Sequence, residues 1–268
     1  MRVASMPMYD MPEVRPALDS LWSGLARYLE REGIADVPGR LTHDRALADL
    51  WGDPDLLFSQ CCGFDLVNRY DGRLQPIAVP HYDALGCRGV DYCSVVVVAE
   101  HSEADDVLQM RGAVCAVNGP ESHSGMGALR ALVAPASHEG RFFSEVKVSG
   151  SHAASLEMVR RGEADVTAID SVTYALLARH RRAAVADTRR LGRTYRAPAV
   201  PYVTSADAEP QMVARMRTAL FRAFADPNLA AARHVLFLKD VEELPVSAYG
   251  RIAEMQDFAA RHGYPELR

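Results

Sequence analysis

The sequence predicts an α/β protein of two lobes, and three observations predict it. Strand-like and helix-like runs alternate along most of the 268 residues. In the middle of the chain three strand-to-helix junctions follow one another, at residues 118–125, 148–152 and 169–171. Two extended apolar segments, near 95–98 and 197–204, stand where the chain would cross from one lobe to the other and back. With 49% hydrophobic and 24% charged residues, the chain can build one large or two medium cores and is too apolar for disorder.

Taken in order, residues 2–6 read as a short strand and the proline-bounded 7–12 as a loop. Residues 13–31 follow as an amphipathic helix with Leu18, Leu21, Trp22, Leu25 and Leu29 on its buried stripe, closed at Gly33. A strand at 37–41 and a short helix at 44–51 come next. The apolar run 55–60 is a strand that ends in Ser59 and Gln60 and passes through Cys61-Cys62-Gly63 into a helix at 64–70. Residues 74–80 form a further strand, and 81–89 a loop turning at Gly86 and Gly89. Residues 92–98 are continuous and β-branched, which fits a strand buried on both faces.

Strand 113–118 delivers the chain to the turn Pro120-Glu121-Ser122-His123-Ser124-Gly125 and a helix with Met126, Leu129, Leu132 and Val133 at helical spacing. Strand 142–148, helix 152–161 with a left-handed stop at Gly162, strand 166–170 and helix 171–180 complete the middle section. The arginine-rich stretch 179–196 has no aromatic interleaving and reads as a solvated surface. The remainder reads as helical, with Met212, Met216, Leu220 and Phe224 striping 208–225, a break at Asp226-Pro227 and a last helix at 246–261. The expected division is therefore lobe 1 at 1–95, lobe 2 at 96–202, and helices of 203–268 completing lobe 1, with hinges near 95–98 and 200–204.

The net charge of −5 argues against nucleic acid or an anionic membrane as the main partner. No run has signal-peptide or membrane-spanning length, so the chain as written reads as cytoplasmic, without membrane insertion, and as periplasmic if a leader was omitted. Five cysteines, two of them adjacent, make a poor disulfide framework and no zinc knuckle. They are expected as reduced thiols and, Cys61 apart, as small buried hydrophobes. No nucleophile elbow, dinucleotide fingerprint or Walker A run occurs, so neither a catalytic residue, a metal nor a cofactor is expected, and the protein is expected to be a monomer.

The junctions carry the chemistry. In open α/β sheets ligands bind outside the carboxyl ends of strands, where helix N-termini offer unpaired N–H groups. Ser122, Ser124 and Gly125 suit a tetrahedral oxyanion held without arginine; the plain alternative is a serine cap on a structural helix. Four to six charge-assisted bonds, at roughly 1.5–3 kcal/mol each before desolvation, suffice for micromolar binding. His152 either donates to an anion oxygen or simply opens its helix. Asp170 would repel an anion unless it accepts a ligand proton from a P–OH, hydroxyl or ammonium; otherwise it is an N-cap.

These residues resemble the PhnD-like phosphate, phosphite and phosphonate substrate-binding proteins of ABC transporters. The resemblance rests on Ser59-Gln60-Cys61-Cys62-Gly63, on Asn118 with Ser122, Ser124 and Gly125, and on Gly150-Ser151-His152 followed by Gly162-x-Ala164-Asp165-x4-Asp170. It implies the type 2 periplasmic-binding-protein fold, each lobe a mixed sheet flanked by helices, with the ligand cleft between lobes and an ABC permease as partner. It also implies oxyanion contacts from Ser122, Ser124, Gly125 and His152, a ligand proton accepted by Asp170, and Tyr9, Gln60 and Cys61 facing them. Cys61 stands where the family leads one to expect threonine. Two other functions remain open on this fold: an enzyme similar to chorismate dehydratase or to a pyrimidine-forming enzyme, and a ligand-sensing regulator.

Overall fold

A computed structural model describes residues 2–268, and its alternation of elements follows the sequence pattern closely in the middle of the chain. The strands are β1 Val3–Ala4, β2 Leu56–Gln60, β3 Leu74–Tyr82, β4 Asp91–Tyr92, β5 Ser94–Ala99 and β6 Val114–Val117. They continue as β7 Glu145–Val148, β8 Val166–Asp170, β9 Thr188–Arg193, β10 Ala197–Pro198, β11 Tyr202–Ser205 and β12 Leu238–Glu242. The α-helices are α1 Arg15–Arg31, α2 Leu47–Trp51, α3 Gly63–Asn68, α4 Ala128–Val133 and α5 His152–Arg160. After these come α6 Ser171–His180, α7 Arg182–Val185, α8 Pro210–Ala225, α9 Ala230–Val235 and α10 Gly250–Arg261.

The chain forms two compact units. Unit 1 holds the residues up to Asp83, Arg88–Val90 and Pro198–Tyr249. Its sheet has the order β1-β2-β11-β3-β12, with β1 and β2 parallel and the other pairs antiparallel. The α1 stripe is buried as its spacing predicts, with Leu18, Leu21, Trp22, Leu25 and Leu29 all at 3% exposure or less. Gly24 is required there, since a Cβ on it would lie 2.5 Å from both Leu229 methyls.

Unit 2 holds Ala84–Cys87, Asp91–Ala197 and Gly250–Arg268. Its sheet has the order β7-β6-β8-β5-β9, with β6, β7 and β8 mutually parallel and β5 antiparallel to both neighbours. Val96 and Val98 join Leu129, Val133, Phe142 and Phe143 in one core, while Ala116, Val159 and Ala164 pack in another. Both faces of β5 are thus covered, which is why its valines can run without polar alternation.

Several expectations are corrected. The 95–98 segment is no crossing: it sits inside the unit 2 sheet because a strand buried on both faces needs a neighbour on each edge, here β8 and β9. Of the expected crossing at 197–204, the change of unit falls at 197–198, and β11 beyond it lies between β2 and β3 in unit 1. The other changes of unit fall between 83 and 91 and at 249–250. The last helix belongs to unit 2, not to lobe 1. Ala259 and Tyr264 enter the unit 2 core, Arg130 Nη1 donates to the Pro265 carbonyl, and the Arg268 carbonyl accepts from the N–H groups of Phe142 at 2.8 Å and Phe143 at 3.3 Å.

Residues 37–41 form no strand. Pro38 lacks a donor, and the segment is tied by single bonds such as Trp22 Nε1 to the Pro38 carbonyl at 2.8 Å. Two edge strands, β9 and β12, were hidden by their arginine, lysine, aspartate and glutamate content, the kind of charge that protects sheet edges. The five cysteines are free, as expected; Cys61 is wholly buried, however, and Cys87 is the partly exposed one. Among the described residues no helix is long and apolar enough to cross a membrane.

Candidate functional site

Because β6, β7 and β8 are parallel, their carboxyl ends share one edge of the unit 2 sheet and deliver the three predicted junctions there. The first opens with a π-type turn, residues 123–127, that runs straight into α4; such turns recur at functional sites. Ser122 caps it by accepting the Gly125 N–H on Oγ at 3.1 Å. The N–H groups of His123 and Ser124 are then the open donors of the helix start, where the dipole favours negative charge.

The second junction brings His152 to the first. Its Nε2 lies 3.0 Å from Ser124 Oγ, and Ser124 Oγ lies 3.4 Å from Ser122 Oγ. Ser151 caps α5 by accepting the Ala154 N–H, which fixes where the imidazole stands. His152 keeps some exposed surface, but its Nδ1 is buried and makes no well-aligned hydrogen bond. Burial draws its pKa down to about 4, opposed by the Ala168 carbonyl, so the ring is neutral at pH 7.

A neutral imidazole has one N–H, and its position decides what Ser124 can do. With the proton on Nε2, the ring donates to Ser124 Oγ and leaves the serine proton free to point outward. With it on Nδ1, Ser124 must donate to the ring. The first arrangement is the one in which Ser124 can serve an anion, and the Ala168 carbonyl, which accepts from an Nδ1–H, works against it. Ser122, already accepting from Gly125, is likewise left with a proton to give. In the first arrangement, two hydroxyls that accept from the protein and donate outward, beside two open N–H groups, can hold an oxyanion in a cradle without a formal positive charge.

Gly125 belongs to this cradle for a different reason than its position in the sequence suggests. Its N–H is spent on Ser122. What it supplies is clearance: a Cβ there would lie 1.8 Å from Asn118 Oδ1 and 3.2 Å from His152 Cε1. Asn118 Oδ1 is buried without a hydrogen-bond partner. The third junction places Asp170 at the same edge, buried, with Oδ1 accepting the N–H groups of Val172 and Thr173 at 2.8 Å each. The N-cap role of Asp170 is therefore real. His123, under the turn against the Tyr92 ring at 6.3 Å, is also forced neutral, with burial taking its pKa to about 4.

In unit 1 the parallel pair β1 and β2 presents Tyr9 and Gln60 from its carboxyl ends. Tyr9 is buried edge-on against Tyr82, with ring centroids 5.4 Å apart. Gln60 is buried with an unpartnered Oε1, while its carbonyl accepts from Trp51 Nε1 at 3.0 Å. Cys61 has spent both its donors: the N–H goes to the Pro201 carbonyl at 3.3 Å and the thiol to the Cys62 carbonyl at 3.4 Å. Burial pushes that thiol far above its ordinary pKa. Two residues escaped the sequence reading of the site. Asn118 enters the sequence pattern only as part of a motif, and Ser94, whose Oγ donates to the Ser124 carbonyl at 2.7 Å, only as one residue of the run 92–98. Among the described residues no group of three or more His, Cys, Asp and Glu is placed to hold a metal ion.

Known proteins give this arrangement its context. Two binding proteins have similar folds: a component of an ABC phosphonate transporter, PA3383 of Pseudomonas aeruginosa, and PhnD1 of Prochlorococcus marinus in complex with methylphosphonate. The first is 13% identical, TM-score 0.75, over 98% of this chain and 87% of its own. The second is 15% identical, TM-score 0.70, over 96% and 97%. XAC2383 of Xanthomonas citri, bound to chloride ion, is 17% identical with TM-score 0.71 over 97% and 98%. These likenesses establish a shared fold. No curated protein matches the sequence. The family model for the ABC transporter, phosphonate, periplasmic substrate-binding protein matches residues 11–240, most of the chain. The chain belongs to the PhnD-like family of periplasmic phosphonate substrate-binding proteins of ABC transporters.

Proposed function

We propose that this protein binds a small tetrahedral oxyanion, a phosphonate, phosphate or phosphite, and delivers it to an ABC permease from the periplasm. The observation that carries the reading is the Ser122, Ser124 and His152 array with the open N–H groups of the π-type turn. The donors stand where an anion gains charge-assisted bonds of roughly 1.5–3 kcal/mol each before desolvation. The methylphosphonate of PhnD1 supports an anion of this class.

In this reading Tyr9 and Gln60 supply further ligand contacts, and the unpartnered Gln60 Oε1 accepts a ligand donor. Cys61 enters as an apolar wall, since its own donors are engaged. A carboxylate has about four acceptor sites, so Asp170 can hold its helix and still accept a ligand proton. Binding is favoured over turnover because the neutral His152 is a weak base.

The test is a thermal-shift panel of phosphate, phosphite, methylphosphonate, an aminophosphonate, sulfate and small carboxylates. The tetrahedral phosphorus oxyanions are expected to raise Tm with ligand concentration over Kd. A flat response across the panel refutes the proposal.

A further inference from the structure

Ser94 is fixed through every polar group it has. Its Oγ donates to the Ser124 carbonyl at 2.7 Å, its N–H donates to Thr194 Oγ1 at 2.8 Å, and its carbonyl accepts the Thr194 N–H at 3.0 Å. It is 1% exposed, and in the β5–β8 register it stands directly opposite Asp170. A single side chain on β5 thus touches the backbone of the cradle, from a position opposite the residue that carries the third junction.

The Ser124 carbonyl matters because of what it fixes. A peptide group is planar, so the plane that holds this carbonyl also holds the N–H of Gly125. That N–H is the one Ser122 Oγ accepts. Turning the carbonyl therefore turns the donor that frees the Ser122 proton, and it shifts the Ser124 hydroxyl against His152. Resting on the proposed oxyanion function, we infer that Ser94 is a positioning residue for ligand binding: it aims the Ser122 and Ser124 hydroxyls by holding the peptide between Ser124 and Gly125.

An ordinary buried hydroxyl would stabilise the fold without affecting affinity, and Thr167 provides that comparison within the same sheet. It is fully buried, and its Oγ1 donates to the Ala116 carbonyl at 2.9 Å, away from the cradle. Ser94→Ala and Thr167→Val each remove one hydroxyl-to-carbonyl bond, so both are expected to lower Tm to a similar degree. Calorimetric titration with methylphosphonate and phosphate is expected to show about tenfold weaker binding for Ser94→Ala and unchanged binding for Thr167→Val. Amide exchange at residue 125 in the ligand-free protein is expected to quicken in Ser94→Ala alone. If Ser94→Ala does not fold, Ser94→Cys preserves the volume with a weak donor and serves in its place.

Wild-type affinity in the Ser94 variant, or an equal loss in Thr167→Val, overturns the positioning role. A wild-type protein that binds none of the anions overturns the functional reading instead, and the exchange comparison still decides whether Ser94 holds the peptide.

Discussion

Acid should weaken this protein through the buried ring of one histidine. His123 is 2% exposed beneath the π-type turn, and burial takes its pKa from 6.5 to about 4. In the unfolded chain the ring titrates at its ordinary value. Between pH 6.5 and 4 the unfolded state therefore binds a proton that the native state refuses, and stability falls as pH falls. Above that window both states are neutral and the contribution is complete; below it both are protonated and the loss has levelled off. The limiting slope is about 1.4 kcal/mol per pH unit, so the whole shift is about 3 kcal/mol. His152 moves in the same direction but is partly exposed, and its share is smaller. Urea unfolding at pH 4, 5, 6 and 7 measures the effect, with His123→Leu as the comparison. The variant should lose stability across this range less steeply than wild type, by about 3 kcal/mol in total. Parallel curves for the two proteins would show that His123 titrates normally and that the turn above it does not exclude water.

Two further outcomes follow from the cradle. Gly125→Ala places a methyl 1.8 Å from Asn118 Oδ1, so the amide or the turn must move; overpacking of this kind costs about 1–3 kcal/mol, and anion affinity should fall roughly five- to 100-fold by titration calorimetry. Unchanged affinity would mean that the turn is not held against Asn118. Asp170 should separate two roles. Asp170→Ala removes the cap on α6 and should cost about 1 kcal/mol in urea unfolding. Asp170→Asn keeps a capping oxygen and should weaken ligands that carry a proton or an amine while sparing fully ionised ones. Equal loss for every ligand would remove Asp170 from the ligand's polar contacts.

The parts of the fold that were legible in the sequence are those fixed by short-range physics. The α1 stripe, the β-branched β5 and the three junctions each declare themselves within a dozen residues, by spacing, branching or capping. The edge strands did not. An edge is paired on one side only, so β9 and β12 carry arginine, lysine and acid where an interior strand would carry valine. The unit to which α10 belongs was also hidden. Its placement depends on Tyr264 and on the Arg268 carbonyl meeting Phe142 and Phe143, more than a hundred residues away, and no local pattern encodes that pairing.

The candidate site divides along the same line, and Gly125 shows why. Residue type alone identified a helix start with serine and glycine, which suggested that the glycine N–H was one of the anion donors. In the folded chain that N–H is consumed by Ser122, and the hydroxyl it satisfies becomes the outward donor in its place. The same inversion holds at Ser124, which can donate to an anion only when His152 donates to it. What a hydrogen-bonding group offers a ligand is set by what its neighbours have already taken. Those neighbours, Asn118, Ser94 and His152, arrive from three different strand ends or starts, so their combined effect could be found only after the sheet had brought them together.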